Sequence, residues 1–199
     1  MTRIIVKYCM IITIWGALFC MFYPVWVRTN ENPDTAFCQS NLKQIGLAIF
    51  QYAQDYNERL PPAIFHDKNI GWANGLQPYV KSYSLFQCPV ENNPDQKTSQ
   101  PNKPGFTDYW FNNNLSGIKD EKITSAFDLI MLGDGDGGSP ESTASYAINR
   151  LPKSWLQSPD SPATRHDGGA NYTFADGHVK WVKPEEILQA APQYKFSVN

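Results

Sequence analysis

Between Asp34 and Arg59, the residues Cys38, Leu42, Ile45, Ile49, Tyr52 and Tyr56 recur at alternating spacings of four and three. That period places all six on one face of an α-helix, while Gln39, Lys43, Gln54 and Glu58 fall mostly elsewhere. The breaker cluster Asn30 to Pro33 precedes the pattern and Asp34 offers an N-cap. Leu60-Pro61-Pro62 stops it, because proline lacks an amide donor and disfavours helical geometry in the residue before it. A long helix with one apolar stripe must bury that stripe against a second layer.

The rest of the chain predicts turns, short strands and one hairpin. Ala63 to Pro104 is broken by turns, with one short helical candidate at Trp72 to Ser82 and an exposed excursion at Asn92 to Gly105. Thr107 to Phe111 and Leu129 to Leu132 suit strands, the second ended sharply by Gly133-Asp134-Gly135-Asp136-Gly137-Gly138. Asp176-Gly177 signals a two-residue type I′ turn between alternating segments. Pairing Ala175 with His178 sets Phe174 opposite Val179 and Tyr172 opposite Trp181, with Asn171, Thr173 and Lys180 on the other face. Pro184 to Leu188 resembles a short closing helix.

Ahead of the helix, Tyr8 to Val27 is a run of twenty residues without a charge. At helical rise it spans roughly 30 Å, the thickness of a bilayer core, and predicts a transmembrane helix. Arg3 and Lys7 precede it and Glu31 and Asp34 follow soon after Arg28, which puts the N-terminus in the cytoplasm. Pro24 and Trp26 occupy positions where a cleaved signal peptide needs small residues, and Phe19 spoils a lipoprotein signal at Cys20. The expected organisation is a cytoplasmic tail and anchor over 1–27, a linker over 28–35 and an exported domain over 36–199. With 17 Lys plus Arg against 19 Asp plus Glu, the chain has no basic surface for nucleic acid. Outside the run only Cys38 and Cys88 remain, and an isolated pair in an oxidising compartment favours a disulfide, two buried thiols being the alternative.

His166, nine residues, then Asp176-Gly177 resembles the C-terminal motif of bacterial prepilin-like proteins. Cys38-Gln39-Ser40-Asn41-Leu42-Lys43-Gln44-Ile45-Gly46-Leu47-Ala48 resembles the N-terminal block of the same family, and Phe86-Gln87-Cys88-Pro89 and Leu76-Gln77-Pro78-Tyr79-Val80 its middle. The resemblance implies an α+β, pilin-like fold, a long helix laid on a small antiparallel sheet with long loops, similar to major pseudopilins of type II secretion. No prepilin cleavage site of the family's kind stands between Met1 and Tyr23.

The expected function is therefore a non-catalytic, single-pass structural or assembly component of an envelope secretion or pilus-type system. It would lie in the bacterial inner membrane with its C-terminal domain periplasmic, among other pilin-like subunits or secretion machinery. The alternative is a membrane-tethered binding module of the same fold, holding calcium, glycan or a protein partner. Asp134 and Asp136, alternating on glycine-rich backbone, are the calcium candidates, with Asp128 or Asp167 as further ligands. His166, Asp176 and His178 also combine imidazole with carboxylate, but no nucleophile has a recognisable setting. The expected role of His166 is structural: its ring bonds Asp176 or a turn carbonyl and pins the loop to the hairpin.

Overall fold

The computed structural model describes residues 2–28, 33–66, 70–90, 97–188 and 194–198, with side chains described from residue 4 to 20 and, within those segments, from 35 onward. The chain divides into two compact units, Met1–Pro33 and Asp34–Asn199. In the first, α1 spans Thr2–Arg28 and leaves Ile11, Trp15 and Phe19 exposed. Among the described residues no helix is long and apolar enough to cross a membrane. The expected span Tyr8 to Val27 runs beyond residue 20, and its last seven side chains lie outside the described residues.

The second unit opens within the first turn of α2, Pro33–Asp55. The helix starts at Pro33, so Asp34 lies inside its first turn instead of capping it. Cys38, Leu42, Ile45, Ile49 and Tyr52 are buried as the stripe requires. Tyr56 lies past the helix end, is half exposed and stacks on Tyr52 at 4.2 Å between ring centroids. The helix ends four residues before Arg59 because Asn57 and Glu58 take positive φ angles of 54° and 58°. Two-residue strands β1, Ile64–Phe65, and β2, Ile70–Gly71, pair antiparallel and lead into α3, Trp72–Gly75. The helical candidate at 72–82 thus resolves into one α turn and a 3₁₀ turn at Gln77–Tyr79.

The main sheet has five strands: β3, Tyr109–Asn112; β4, Ile130–Asp134; β5, Ala147–Ile148; β6, Ala170–Phe174; and β7, Val179–Val182. Their order is β5-β3-β4-β6-β7. Three pairings are antiparallel, but β3 and β5 run parallel, so the sheet is mixed and not antiparallel throughout. Short helices α4, Lys153–Gln157, and α5, Pro184–Leu188, follow β5 and β7.

Both faces of the sheet are covered, which explains strands that read as continuous apolar or mixed runs. One core joins Leu42, Ile45 and Ile49 of α2 to Trp72, Phe86, Phe111 and Met131. The other joins Trp110, Ile130, Tyr172, Phe174 and Val182. Each fully buried ring or branched chain of this sort contributes roughly 1.5–3 kcal/mol by leaving water. Helix α2 lies close on β6: a Cβ on Gly46 would stand 3.0 Å from Thr173 Cγ2, and the Thr173 hydroxyl donates to the Leu42 carbonyl.

Two expectations at the sheet are corrected. Strand β4 does not end at the glycine-rich segment but continues through Gly133 and Asp134, because Gly133 is where Trp110 and Tyr172 close in. A Cβ there would meet their rings at 2.6 and 2.7 Å. The β6–β7 register is also one residue from the expected one: Thr173 faces Val179, Tyr172 faces Lys180 and Asn171 faces Trp181. The connection is a three-residue loop, 175–177, with Phe174 N donating to His178 O and Gly177 alone at positive φ, 84°. The polar residues Asn171 and Thr173 face α2 and meet partners there, so polarity did not mark the solvent side.

Candidate functional site

The residues that sequence reasoning singled out gather at the two ends of β6. At its start, His166 and Gly169 exchange backbone hydrogen bonds at 2.9 and 3.2 Å. Asp167 and Gly168 between them have φ of 54° and 81°. Two central residues with positive φ are what a type I′ turn demands, so the Asp-Gly pair that forms one is Asp167-Gly168. The Trp181 indole N–H donates to the His166 carbonyl at 2.6 Å and its ring closes over Gly169, where a Cβ would lie 2.5 Å from it.

This turn carries the His166 ring inward, where it is 2% exposed. Its Nε2 stands 3.3 Å from Asp134 Oδ2 and 3.8 Å from Cys88 Sγ. The expected bond between His166 and Asp176 is not made. The imidazole reaches the end of β4 instead, because the chain enters β6 through a tight turn and not across the hairpin. Asp134 Oδ2 also accepts the Asn171 backbone N–H at 2.6 Å, so one buried carboxylate joins β4, the turn and β6. Its other oxygen has no hydrogen-bond partner among the described residues. The carboxylate beside His166 is thus Asp134 of β4 and not Asp176.

Cys88 is bonded to Cys38, with 5.6 Å between their Cα atoms. The Cys88 backbone N–H donates to Asp108 Oδ2 at 2.6 Å, and Gly135 N donates to the Asp108 carbonyl at 2.7 Å. The bridge therefore ties α2 to the segment beside β3 and β4. Closing a loop of 50 residues restricts the unfolded chain by about 4 kcal/mol. Around it, burial first and the Asp134 charge second hold the Tyr172 hydroxyl well above its usual range. Tyr109 is likewise raised, by burial, then by Asp134, against a hydrogen bond from Asn41.

At the other end of β6, Asp176 Oδ1 accepts the His178 backbone N–H at 3.0 Å and lies 2.6 Å from His178 Nδ1. These side chains are about one third exposed. Gly177 takes the left-handed conformation directly over Phe50, where a Cβ would come within 2.6 Å of the ring. Lys43 Nζ donates to the Gly177 carbonyl at 2.6 Å, so the loop is held by α2 from two positions.

The calcium candidates separate. Asp134 is inside with His166, whereas Asp136 accepts the Gly138 N–H and borders an open cleft of about 400 Å³ with Asp160, Thr164 and Arg165. Asp128 accepts from the Ser125 hydroxyl, and Asp167 is in the type I′ turn. The group of three metal-ligating side chains that does converge among the described residues is Cys38, Cys88 and His166, whose ligand atoms lie within 4.8 Å of one another. Sequence reasoning named all three, but not together. Neither cysteine stands near His166 in the chain, so no spacing signalled the cluster.

Residues 35–88 match a family model described as "Protein of unknown function (DUF1559)". That stretch runs from the start of α2 to the second cysteine of the bridge, and leaves Asp134, His166 and the whole main sheet outside the match. No curated protein and no solved structure matches the chain.

Proposed function

We propose that this chain is a membrane-anchored, pilin-like structural or assembly component of a bacterial envelope secretion or pilus-type system. Residues 8–27 act as the anchor, the N-terminus is cytoplasmic and the disulfide-bonded unit works on the outer side of the inner membrane. The observation that carries this reading is α1: a helix that leaves Trp15 70% and Phe19 72% exposed presents rings that water solvates badly and acyl chains solvate well. A disulfide in the second unit agrees with an oxidising compartment beyond the membrane. The resemblance of the Cys38 to Ala48 block and the His166 to Gly177 motif to prepilin-like proteins supplies the system. The buried His166 and Asp134 serve architecture in this reading, since both are enclosed between a turn and two strands.

The test is fractionation of bacteria expressing the full chain with a C-terminal tag. The protein should stay with membranes through alkaline extraction, and protease added outside opened cells should remove the tag while membranes remain sealed. Photocrosslinkers at the exposed residues Phe37 and Leu47 of α2 should then capture pilin-like subunits. Release of the chain by alkaline extraction would remove the anchor from the proposal, and adducts only to unrelated proteins would remove the assembly role.

A further inference from the structure

The Cys38–Cys88 bridge, the His166 imidazole and the Asp134 carboxylate meet in one enclosed spot, and a single atom, His166 Nε2, faces both the Cys88 sulfur and the Asp134 oxygen. We propose that this spot is a redox-gated metal site: in the chain that folds with its thiols reduced, Cys38, Cys88, His166 and Asp134 bind one zinc-class dication.

Two edges match such a site. With bonds of about 2.3 Å to sulfur and about 2.0–2.1 Å to nitrogen or oxygen, a tetrahedral zinc sets sulfur–nitrogen edges near 3.6 Å and nitrogen–oxygen edges near 3.3 Å. The corresponding edges here are 3.8 Å and 3.3 Å. The ligand atoms of Cys38, Cys88 and His166 already lie within 4.8 Å of one another, so to complete a tetrahedron the sulfurs must part to about 3.8 Å and the Asp134 carboxylate must draw in toward them. Two thiolates, an imidazole and a carboxylate are donors of the zinc type. A second observation points the same way: Asp134 is 1% exposed, yet its Oδ1 has no hydrogen-bond partner among the described residues. A buried carboxylate oxygen without a donor is costly, and a cation beside it removes that cost.

A dithiol reductant delivers two electrons and two protons to the sulfur–sulfur bond and becomes a disulfide itself, leaving Cys38 and Cys88 as thiols. On metal binding both thiol protons leave to solvent, and the neutral imidazole carries its proton on Nδ1 so that Nε2 is the donor atom. Oxidation runs the other way: a disulfide oxidant takes two electrons from the two thiolates and two protons from solvent, becomes a dithiol, and the Cys38 and Cys88 sulfurs rejoin as the dication is released. Both cysteines are completely buried in the folded chain, so the choice between bridge and metal is made while the chain folds.

The test uses the full chain in detergent, refolded either oxidised or with a phosphine reductant, and titrated with Co²⁺ as a spectroscopic stand-in and then with Zn²⁺. The reduced chain should take one equivalent of Co²⁺ with the sulfur charge-transfer and tetrahedral d–d bands, lose them to Zn²⁺, and show a raised melting temperature with Zn²⁺. The oxidised chain should do none of this. H166A should weaken binding at least tenfold and D134N measurably, whereas H178A should leave it unchanged. If the reduced chain does not fold alone, recovery of near-ultraviolet circular dichroism on adding Zn²⁺ becomes the readout. Absence of tetrahedral Co²⁺ bands together with absence of that recovery overturns the proposal, as does H166A binding as tightly as the unaltered chain.

Discussion

The two ends of strand β6 use the same three residue types to opposite effect. Each has an Asp-Gly pair and a histidine beside a carboxylate. At the start, Asp167-Gly168 forms the two-residue turn and His166 turns inward to Asp134, with both side chains almost wholly buried. At the finish, Asp176-Gly177 closes a three-residue loop and His178 meets Asp176 in partial contact with solvent. A dipeptide therefore permits a positive φ without deciding which turn is built. What decides is the packing on either side: Trp181 over Gly169 at one end, Phe50 and Lys43 from α2 at the other.

The sharpest way to break this comparison is to remove each carboxylate. Asp134→Ala strips a buried pair of one member, leaving the His166 ring without the carboxylate beside it and the Asn171 N–H without its acceptor. It should cost about 3–5 kcal/mol in chemical denaturation. Asp176→Ala, at a site open to water, should cost about 1 kcal/mol or less. Equal losses would mean that burial does not separate the two ends.

Next in size is the glycine of each turn. Gly177→Ala must hold an L residue at φ 84° and push a methyl against Phe50, and should lose about 2–4 kcal/mol. Gly168→Ala has a similar φ, 81°, but nothing within 4 Å of the added carbon, and should lose only about 1–2 kcal/mol. Introducing Phe50→Ala ought to recover part of the first loss and none of the second. A double-mutant cycle showing no coupling between positions 50 and 177 would place the cost in the backbone alone.

This contrast also shows what was legible in the sequence. Helix α2 could be read because its period and buried stripe depend on neighbours within four residues, whereas its end at Asp55 comes from the positive φ of Asn57 and Glu58 and not from the prolines beyond. The cysteine pair could be read by elimination, and Cys38–Cys88 is the bond found. The hairpin register could not, since the rule that polar residues face water fails where α2 covers Asn171 and Thr173 and supplies partners for them. The parallel pairing of β5 was invisible because two residues carry no period. Asp134 looked like a calcium ligand because its glycine neighbours suggested a loop. Those glycines are strand and strand-end positions that two aromatic rings and Tyr146 press against.

Alkaline pH should sharpen the contrast further, because two of the tyrosines held above their ordinary value, Tyr109 and Tyr172, feel the Asp134 charge at the buried end. Tyr109 and Tyr172 have hydroxyls held above the ordinary value of 10.0, by burial and then by Asp134. A raised folded value means that above pH 10 the unfolded chain gives up these protons while the folded chain keeps them. The stability they contribute is thus whole below pH 10 and declines as pH climbs beyond it. Between pH 10 and 11 each should cost about 1 kcal/mol. Phenolate absorbance should lag behind that of free tyrosine and appear for these two with loss of tertiary circular dichroism. Titration of all ten tyrosines in one ordinary step, with the fold intact, would show that the Asp134 end is open to water.

The smallest expected effect belongs to His178, and its interest lies in separating two contributions. Its ring stacks on Phe174 at 4.3 Å with planes 2° apart, and on Phe127 at 4.9 Å, in addition to meeting Asp176. Stacking of this kind is worth roughly 0.5–1.5 kcal/mol, whereas a partly solvated ion pair gives roughly 0–1 kcal/mol. His178→Phe keeps a ring on Phe174 and gives up the pair, so it should change stability by less than about 1 kcal/mol. His178→Ala gives up both and should cost more. The same phenylalanine at position 166 would place a ring without a polar nitrogen against the Asp134 carboxylate and destabilise severely. Should His178→Phe prove as damaging as His178→Ala, the link to Asp176 and not the stack holds this end of β6, and the two ends would then work alike despite their difference in exposure.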